Sequence, residues 1–162
     1  NVGLVEVVSD GDIGYYAGMG VGFDGSYTKK SLPKETLLTQ GYVFSQEQDN
    51  AFRDMTGADY DLFLNTAHLG AEEEDKDGLD AKVYRWWIRG LAGYNESIVM
   101  FLPGSRLCAA AFDPENNIVR IYTNDEGISS APKTILAWIG HIQESLGLEA
   151  DIPTEFRNTH KD

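Results

Sequence analysis

Hydrophobic positions in the second half of the chain predict an antiparallel sheet. Three apolar runs of strand length cover residues 98–102, 107–112 and 118–123, and short segments rich in Pro, Gly, Asp and Asn separate them. Segments of that composition form tight turns between neighbouring strands. Residues 83–88 precede the three runs and fit either a strand or a short helix, because the period of so short a run does not distinguish the two.

The apolar period then lengthens to that of a helix. Ser130 can cap this helix, Pro132 fits its first turn, and Gly147 fits its end. Residues 148–162 are predicted to be a tail. The apolar stripe of the helix is formed by Ile135, Ile139, Ile142 and Leu146, joined by Leu136 and Trp138.

The first half of the chain predicts two short helices. Ser45 and Gln48 fit a capping box in which the serine hydroxyl accepts from a backbone N–H of the first turn. Gly57 supplies the end of this first helix. Asp59 can cap a second helix, whose apolar face ends at Gly70.

The segment before these helices is rich in glycine. Residues 2–8 are β-branched and predict a strand, and residues 41–44 predict another. Residues 20–25 match the pattern G-x-G-x-x-G, but a phosphate-binding loop requires a strand directly before it and a helix directly after it. The predicted strand ends about a dozen residues earlier and no helix pattern follows, so hairpin turns are the better interpretation.

Together these elements predict one α+β domain over residues 1–147. Its antiparallel sheet ends in the C-terminal meander, and its helices pack on one face. The chain of 162 residues is 42% hydrophobic and contains 18 aromatic residues, a composition typical of a packed globule. No apolar run approaches the ~18 residues that cross a membrane, which predicts a soluble protein. We expect it in the cytoplasm, with the periplasm as the alternative.

Negative charge is concentrated in the first half. The formal net charge is −13, and residues 1–81 carry sixteen acids against five bases. Residues 47–80 alone carry eleven acids, faced only by Arg53 and Lys76. A one-sided field attracts basic surfaces and repels phosphate backbones, so we expect a basic protein partner and no nucleic acid.

Candidate partner-binding residues follow from this concentration of charge. Trp86 joins the acids because a tryptophan flanked by Arg85 has the composition of a binding hot spot, although packing in the core is the alternative. The predicted contacts are Glu47, Asp49, Asp54, Asp59, Asp61, Glu72, Glu73, Glu74, Asp75, Asp77 and Trp86.

No local motif predicts catalysis or a cofactor. The chain lacks the patterns of zinc proteases, nucleophile elbows and P-loops, and its single cysteine, Cys108, lies in an apolar run typical of a core. His68, His141 and His160 are scattered. An enzyme, such as a hydrolase using carboxylates with His68 or His141, stays open as an alternative, because sites are assembled by geometry.

A calcium site is the other alternative, and it would suit a surface or carbohydrate-binding module. Glu73, Asp75, Asp77 and Gly78 match positions 1, 3, 5 and 6 of a calcium loop, but position 12 is Tyr84 in place of glutamate. The coordination shell would be incomplete. We therefore predict an exposed acidic loop over residues 72–80 and no metal.

Residues 112–142 carry a resemblance to a protein class. They combine a strand, an acidic turn and a closing helix with a W-I-x-x-I stripe, in a small acidic chain without catalytic motifs. This arrangement is similar to the ends of several families of bacterial immunity proteins, which are paired with polymorphic or contact-dependent toxins. The resemblance implies neutralisation of a toxin, a nuclease among others, by direct binding without catalysis. It carries over no functional residue.

Overall fold

The computed structural model describes residues 4–8, 25–28 and 34–160. The chain divides into two compact units, residues 1–34 and 35–162, where the sequence predicts one domain ending at residue 147. In the first unit, β1 (Leu4–Val7) pairs with β2 (Gly25–Thr28) in antiparallel orientation. The predicted first strand therefore forms. Residues 20–24 of the glycine motif lie outside the described residues.

Among its described residues, the second unit contains three α-helices and six strands. A short 3-10 turn, Gly57–Asp59, joins the first two helices. None of the described helices is both long and apolar enough to cross a membrane. The elements are α1 (Gln46–Thr56), α2 (Tyr60–Thr66), β3 (Leu69–Glu73), β4 (Lys82–Trp87), β5 (Glu96–Phe101), β6 (Leu107–Asp113), β7 (Ile118–Thr123), α3 (Lys133–Leu146) and β8 (Thr154–Asn158).

The six strands form one sheet in chain order, from β3 to β8. Neighbouring strands are antiparallel up to β7, so the predicted meander is confirmed, and it extends back through β4 to β3. The strands β7 and β8 are parallel because α3 carries the chain back before β8 begins.

Both faces of this sheet are covered. On one face, Ile135 and Ile142 of α3 pack with Ile98 and Ala110, while on the other, Phe52 and Phe63 of α1 and α2 pack with alternate residues of the same strands. Every residue of β5 and β6 is buried, as expected of strands covered on two sides. The α+β class is confirmed, and the helices occupy both faces instead of one.

The first helix begins and ends as its sequence predicts. The Ser45 hydroxyl accepts from the N–H of Gln48 at 3.2 Å, and the Gln48 side chain accepts from the N–H of Phe44 at 2.8 Å. Gly57 ends the helix with a φ of 56°. Residues 41–44 form a turn and not a strand, because the N–H of Tyr42 bonds back to the carbonyl of Leu37.

The second helix differs from its prediction at both ends. It ends at Thr66, and Gly70 belongs to β3. The Asp59 side chain makes no capping hydrogen bond to the helix. It has other partners, which are described below.

The predicted tail takes part in the fold. Ile152 is buried, and Phe156 of β8 packs against the α3 side of the sheet. Glu155 lies opposite Arg120 of β7, and their side chains approach within 3.2 Å. The strand has few apolar residues, so its sequence alone does not separate it from a loop.

A matched pair of glycines tests the packing of α3 against the β4–β5 turn. Gly90 and Gly93 both have a φ near 80°, but a Cβ at Gly93 would lie 2.5 Å from the Cβ of Ser145, whereas at Gly90 nothing lies within 4 Å. We expect Gly90→Ala to cost about 1 kcal/mol through its left-handed backbone. Gly93→Ala should cost about 1–3 kcal/mol more, since α3 must shift. Urea unfolding measures both, and equal losses would contradict the close approach.

Candidate functional site

The predicted contact residues separate into two groups in the structure. One group is used by the fold: Asp49 is 1% exposed and Trp86 is 2% exposed, and Asp59, Asp75 and Asp77 are partly buried. The other group is exposed and consists of Glu47, Asp54, Asp61, Glu72, Glu73 and Glu74.

Asp49 holds α1 to the start of the second unit. Its carboxylate accepts from the Tyr60 hydroxyl at 2.5 Å and from Nε of Arg53 at 2.9 Å. The Tyr60 oxygen in turn accepts from the N–H of Leu37 at 2.7 Å. Burial and the bond to Asp49 raise the pKa of Tyr60 to about 12. Asp49 is therefore a structural residue and not a contact surface.

Asp59 joins the start of α2 to the far strands of the sheet. Its carboxylate accepts a very short hydrogen bond from the Tyr122 hydroxyl. Arg120 and Arg157 lie 3.8 and 3.6 Å from the same oxygen. Burial, followed by the bond to Asp59, raises the pKa of Tyr122 well above its ordinary value. The charge of Asp59 is thus compensated within the protein.

Asp77 caps α3 from a distant part of the sequence. Its two carboxylate oxygens accept from the N–H groups of Lys133 and Thr134 at 2.8 and 2.9 Å, and also from the Thr134 hydroxyl. Burial acts to raise the pKa of Asp77, but these hydrogen bonds and the charge of Lys133 outweigh it and lower the pKa. No side chain adjacent to the helix caps it, so Asp77 takes the role predicted for Ser130.

Asp75 shapes the β3–β4 loop. Its carboxylate accepts from four backbone N–H groups, those of Asp77, Gly78, Leu79 and Ala81, at 2.7–3.2 Å. Burial acts to raise the pKa of Asp75, and the four hydrogen bonds lower it below its ordinary value. Both aspartates of the candidate calcium loop are therefore committed to backbone donors, and the described residues contain no group of three ligands for a metal.

A shallow groove lies on the α1–α2 side of the sheet edge. We call it the aromatic groove; its volume is about 330 Å³. Phe44, which is 63% exposed, stands at its side, with its ring centre 6.2 Å from that of Tyr84 and 5.7 Å from that of Phe101. The groove is lined by Gly41, Tyr42, Phe44, Gly70, Ala71, Glu72, Tyr84 and Trp86.

A second cleft lies on the other side of the same edge, between β3, β4 and α3. We call it the Arg85 cleft, and its volume is also about 330 Å³. Nε of Arg85 lies 2.9 Å from a Glu73 oxygen, and its Nη1 lies 3.4 Å from Glu96, which is completely buried. Glu96 also accepts from the indole N–H of Trp138 at 2.8 Å and the N–H of Gly93 at 2.8 Å.

His141 in this cleft does not have the partner of a catalytic base. Its Nε2 lies 2.9 Å from Nη1 of Arg85. A guanidinium carries donors only, so Nε2 of His141 is the acceptor and its lone pair is occupied. His68 is exposed, and His160 lies 4.0 Å from an exposed glutamate. No histidine of the described residues is paired with a carboxylate inside a cleft.

Cys108 is a core residue, as its apolar neighbours predict. The thiol is completely buried in β6 on the α3 side of the sheet. Burial raises its pKa to about 12. A thiol with so high a pKa is a poor nucleophile.

Sequence reasoning missed Phe44, although a signal was available. A capping box is commonly accompanied by an apolar residue before the cap, which packs on an apolar residue in the first turn. Phe44 precedes the cap Ser45, but the position that would receive it is Asp49, which is buried by its own polar partners. Phe44 instead lies beside the rings of Tyr84 and Phe101 and lines the aromatic groove.

Comparisons with known proteins add no relative. No family model, curated protein or solved structure matches the chain.

Removing the Asp77 carboxylate tests its role as a distant helix cap. We expect Asp77→Ala to lower the free energy of unfolding at neutral pH by about 1–2 kcal/mol, the range for a lost cap. Because the folded state lowers the pKa of Asp77, this stabilisation is present above its unfolded pKa of about 4 and is lost as the pH falls through the folded value.

Urea unfolding at neutral and acidic pH measures this effect. The control is Glu74→Ala, which removes an exposed carboxylate from the same loop and should change stability little. The difference between wild type and Asp77→Ala should narrow in acid. A difference that is constant with pH would contradict the capping role of the charge.

The hydrogen bonds of Asp75 make a prediction about calcium. A calcium ion bound in this loop would have to displace backbone donors from Asp75, and the loop offers no twelfth-position carboxylate. We therefore expect sub-millimolar calcium to leave the midpoint of thermal unfolding unchanged, with magnesium as the control for ionic strength. A calcium-specific rise in the midpoint would restore the calcium-binding alternative.

Proposed function

We propose that this protein binds a basic partner protein through its exposed acids and neutralises it by direct docking. An immunity or inhibitor protein of a bacterial toxin acts in this way, and a toxin nuclease is one such partner. The observation that carries the proposal is uncompensated negative charge beside an exposed aromatic side chain.

Part of the uncompensated charge lies on α1, α2 and β3. Asp54, Asp61 and Glu72 are exposed and make no ion pair with any described residue. Glu47 and Asp54 are separated by two helical turns, so they share one stripe of α1. Carboxylates that do not stabilise the fold remain able to attract a cationic surface.

The exposed aromatic side chain supplies an anchor for binding affinity, which charge alone does not provide. Long-range attraction raises association rates, while affinity depends on a few desolvated anchors. Phe44 lines the same groove as Glu72, and Glu47 follows it by three residues in the first turn of α1. Phe44 and Tyr84 together offer an anchor, and the carboxylate of Glu72 lies in the lining of the same groove.

The histidine geometry favours binding over catalysis. A hydrolase of scattered carboxylates would require a base with a free lone pair in a cleft, and His141 directs its lone pair at Arg85. The resemblance of residues 112–142 to immunity proteins supports the same conclusion. The exposed acids favour a partner whose own active surface is cationic, as that of an enzyme acting on nucleic acid must be.

Capture of a partner at low ionic strength, followed by measurement of its activity, tests the proposal. A basic protein should be retained, should dissociate as the salt concentration rises, and should lose its activity in the complex. Retention that is indifferent to salt, or a partner that stays fully active when bound, would overturn the proposal.

Charge reversal at the three unpaired acids should slow association with that partner. We expect Asp54→Lys, Asp61→Lys and Glu72→Lys combined to lower the association rate about tenfold or more at low salt, with little change in unfolding free energy. The control reverses three other exposed acids, Glu126, Glu144 and Glu149, and changes the net charge equally. Stopped-flow kinetics compares the two. Equal slowing would mean that total charge, and not this surface, governs association.

A further inference from the structure

We propose that the outer edge of β3 receives an extended, lysine- or arginine-rich strand of the partner, which continues the sheet. This inference rests on the function proposed above and assigns the docking mode within it. It also predicts the kind of segment that the partner presents. Three features of the edge support it: an open side, clefts on both of its faces, and its charge.

The edge of the sheet at β3 is open among the described residues. The strand pairs with β4 on one side, and no other described strand joins it. In an antiparallel pair, alternate residues direct their N–H and C=O groups away from the partner strand, so an edge strand presents a row of free backbone groups. Gly70, Glu72 and Glu73 are exposed along it.

The two clefts flank this edge, one on each face of the sheet. Gly70, Ala71 and Glu72 line the aromatic groove, while Glu73 and Glu74 line the Arg85 cleft. Successive side chains of an added strand point to opposite faces. One set would therefore lie over Phe44 and Tyr84, and the other over Glu73 and Glu74. Backbone pairing with pockets for alternate side chains is the general basis of recognition by strand addition.

Charge selects the occupant of the edge. Three consecutive glutamates, Glu72, Glu73 and Glu74, end β3 and begin its loop. A second copy of the chain pairing here would place like charges opposite one another, which is destabilising, and charged edge strands discourage such pairing. A strand with cationic side chains gains cross-strand attraction at the same positions. The preferred occupant is thus a basic strand and not a second copy.

The occupant should also be amphipathic. Its side chains over the aromatic groove meet the rings of Phe44 and Tyr84, which favours apolar or aromatic residues there. Its side chains over the other face meet Glu73 and Glu74, whose carboxylates are exposed although Arg85 lies 2.9 Å from Glu73 and Lys76 lies 3.7 Å from Glu74. The exposed sides of these carboxylates favour lysine or arginine. A segment that alternates basic and aromatic residues satisfies both faces.

A capped synthetic peptide that alternates lysine with phenylalanine, valine and tyrosine is the probe. Its binding to the full chain is measured by fluorescence anisotropy, and backbone amide exchange is followed by NMR. We expect binding with slowed exchange of amides in β3. Phe44→Ala, and separately the pair Glu72→Lys and Glu73→Lys, should each weaken binding about tenfold or more.

The controls separate strand addition from simple charge attraction. A peptide of the same composition with a central proline cannot continue the ladder and should bind at least about tenfold more weakly. Reversal of Glu126 and Glu144, which lie outside both clefts, should leave binding unchanged within about twofold. Unfolding measurements on each variant confirm that it remains folded.

Four results would overturn the inference. The first is absence of peptide binding, and the second is binding without slowed amide exchange in β3. The third is equal binding of the peptide that contains proline. The fourth is full protection of the β3 amides from exchange without peptide, either at any concentration of the chain or only as that concentration rises. The last would mean that another segment or a second copy holds the edge. Any of these leaves the proposed function standing if the captured partner still binds with salt dependence. Loss of partner binding itself would remove both.

Discussion

Burial of both faces of the six-stranded sheet is the constraint on which the rest of the structure depends. The strands β5 and β6 are buried at every residue, so one set of side chains must fit α3 and the alternate set must fit α1 and α2. Small side chains at Ala109, Ala110 and Ala111 allow helices to approach from both sides. With both faces covered, the places where this sheet can meet another molecule are its edges and the clefts beside them.

Packing of α3 on the sheet also buries a carboxylate, and one of the donors that surround it contacts the edge strand β3. Glu96 is completely buried at the start of β5, and a buried carboxylate is stable only where donors surround it. Trp138 of α3, the N–H of Gly93 and Arg85 of β4 provide those donors. The guanidinium of Arg85 also lies 2.9 Å from a Glu73 oxygen, so it connects an acid of the edge strand to the buried Glu96.

The sequence predicts the elements whose signals are local and fails where the partner is distant. The capping box at Ser45, the meander and the apolar stripe of α3 are read correctly because a few adjacent residues determine each. The exception in the stripe is Leu136, which is 52% exposed and does not belong to the buried face. The strand β3 is missed because Leu69–Glu73 has no alternation of apolar and polar residues and is ordered by pairing with β4. The sequence does not decide whether Trp86 is buried. Alternation of side chains along a strand places Trp86 and Trp87 on opposite faces, but it does not show which face is buried.

The same distinction between local signals and distant contacts applies to the candidate site. Composition identifies residues 47–80 as acidic, but the assignment of each acid depends on contacts that sequence does not contain. Asp77 meets the N-terminus of α3 more than fifty residues later, and Asp49 is buried by Tyr60. The charge of such acids is compensated by donors within the protein. The acids of this segment that remain exposed lie on α1, on α2, along β3 and in the β3–β4 loop.

The position of the remaining acids argues for more than solubility. Charge that serves only to keep a protein dissolved can be spread over any exposed surface, and like charges crowded together destabilise the fold. In the docking mode proposed above, the three consecutive glutamates at the open edge have a local effect. Charged side chains on an edge strand discourage pairing with a second copy, and negative ones favour a cationic strand. Under that proposal, protection against self-association and selection of a basic partner are two consequences of one arrangement, and the exposed ring of Phe44 adds specificity.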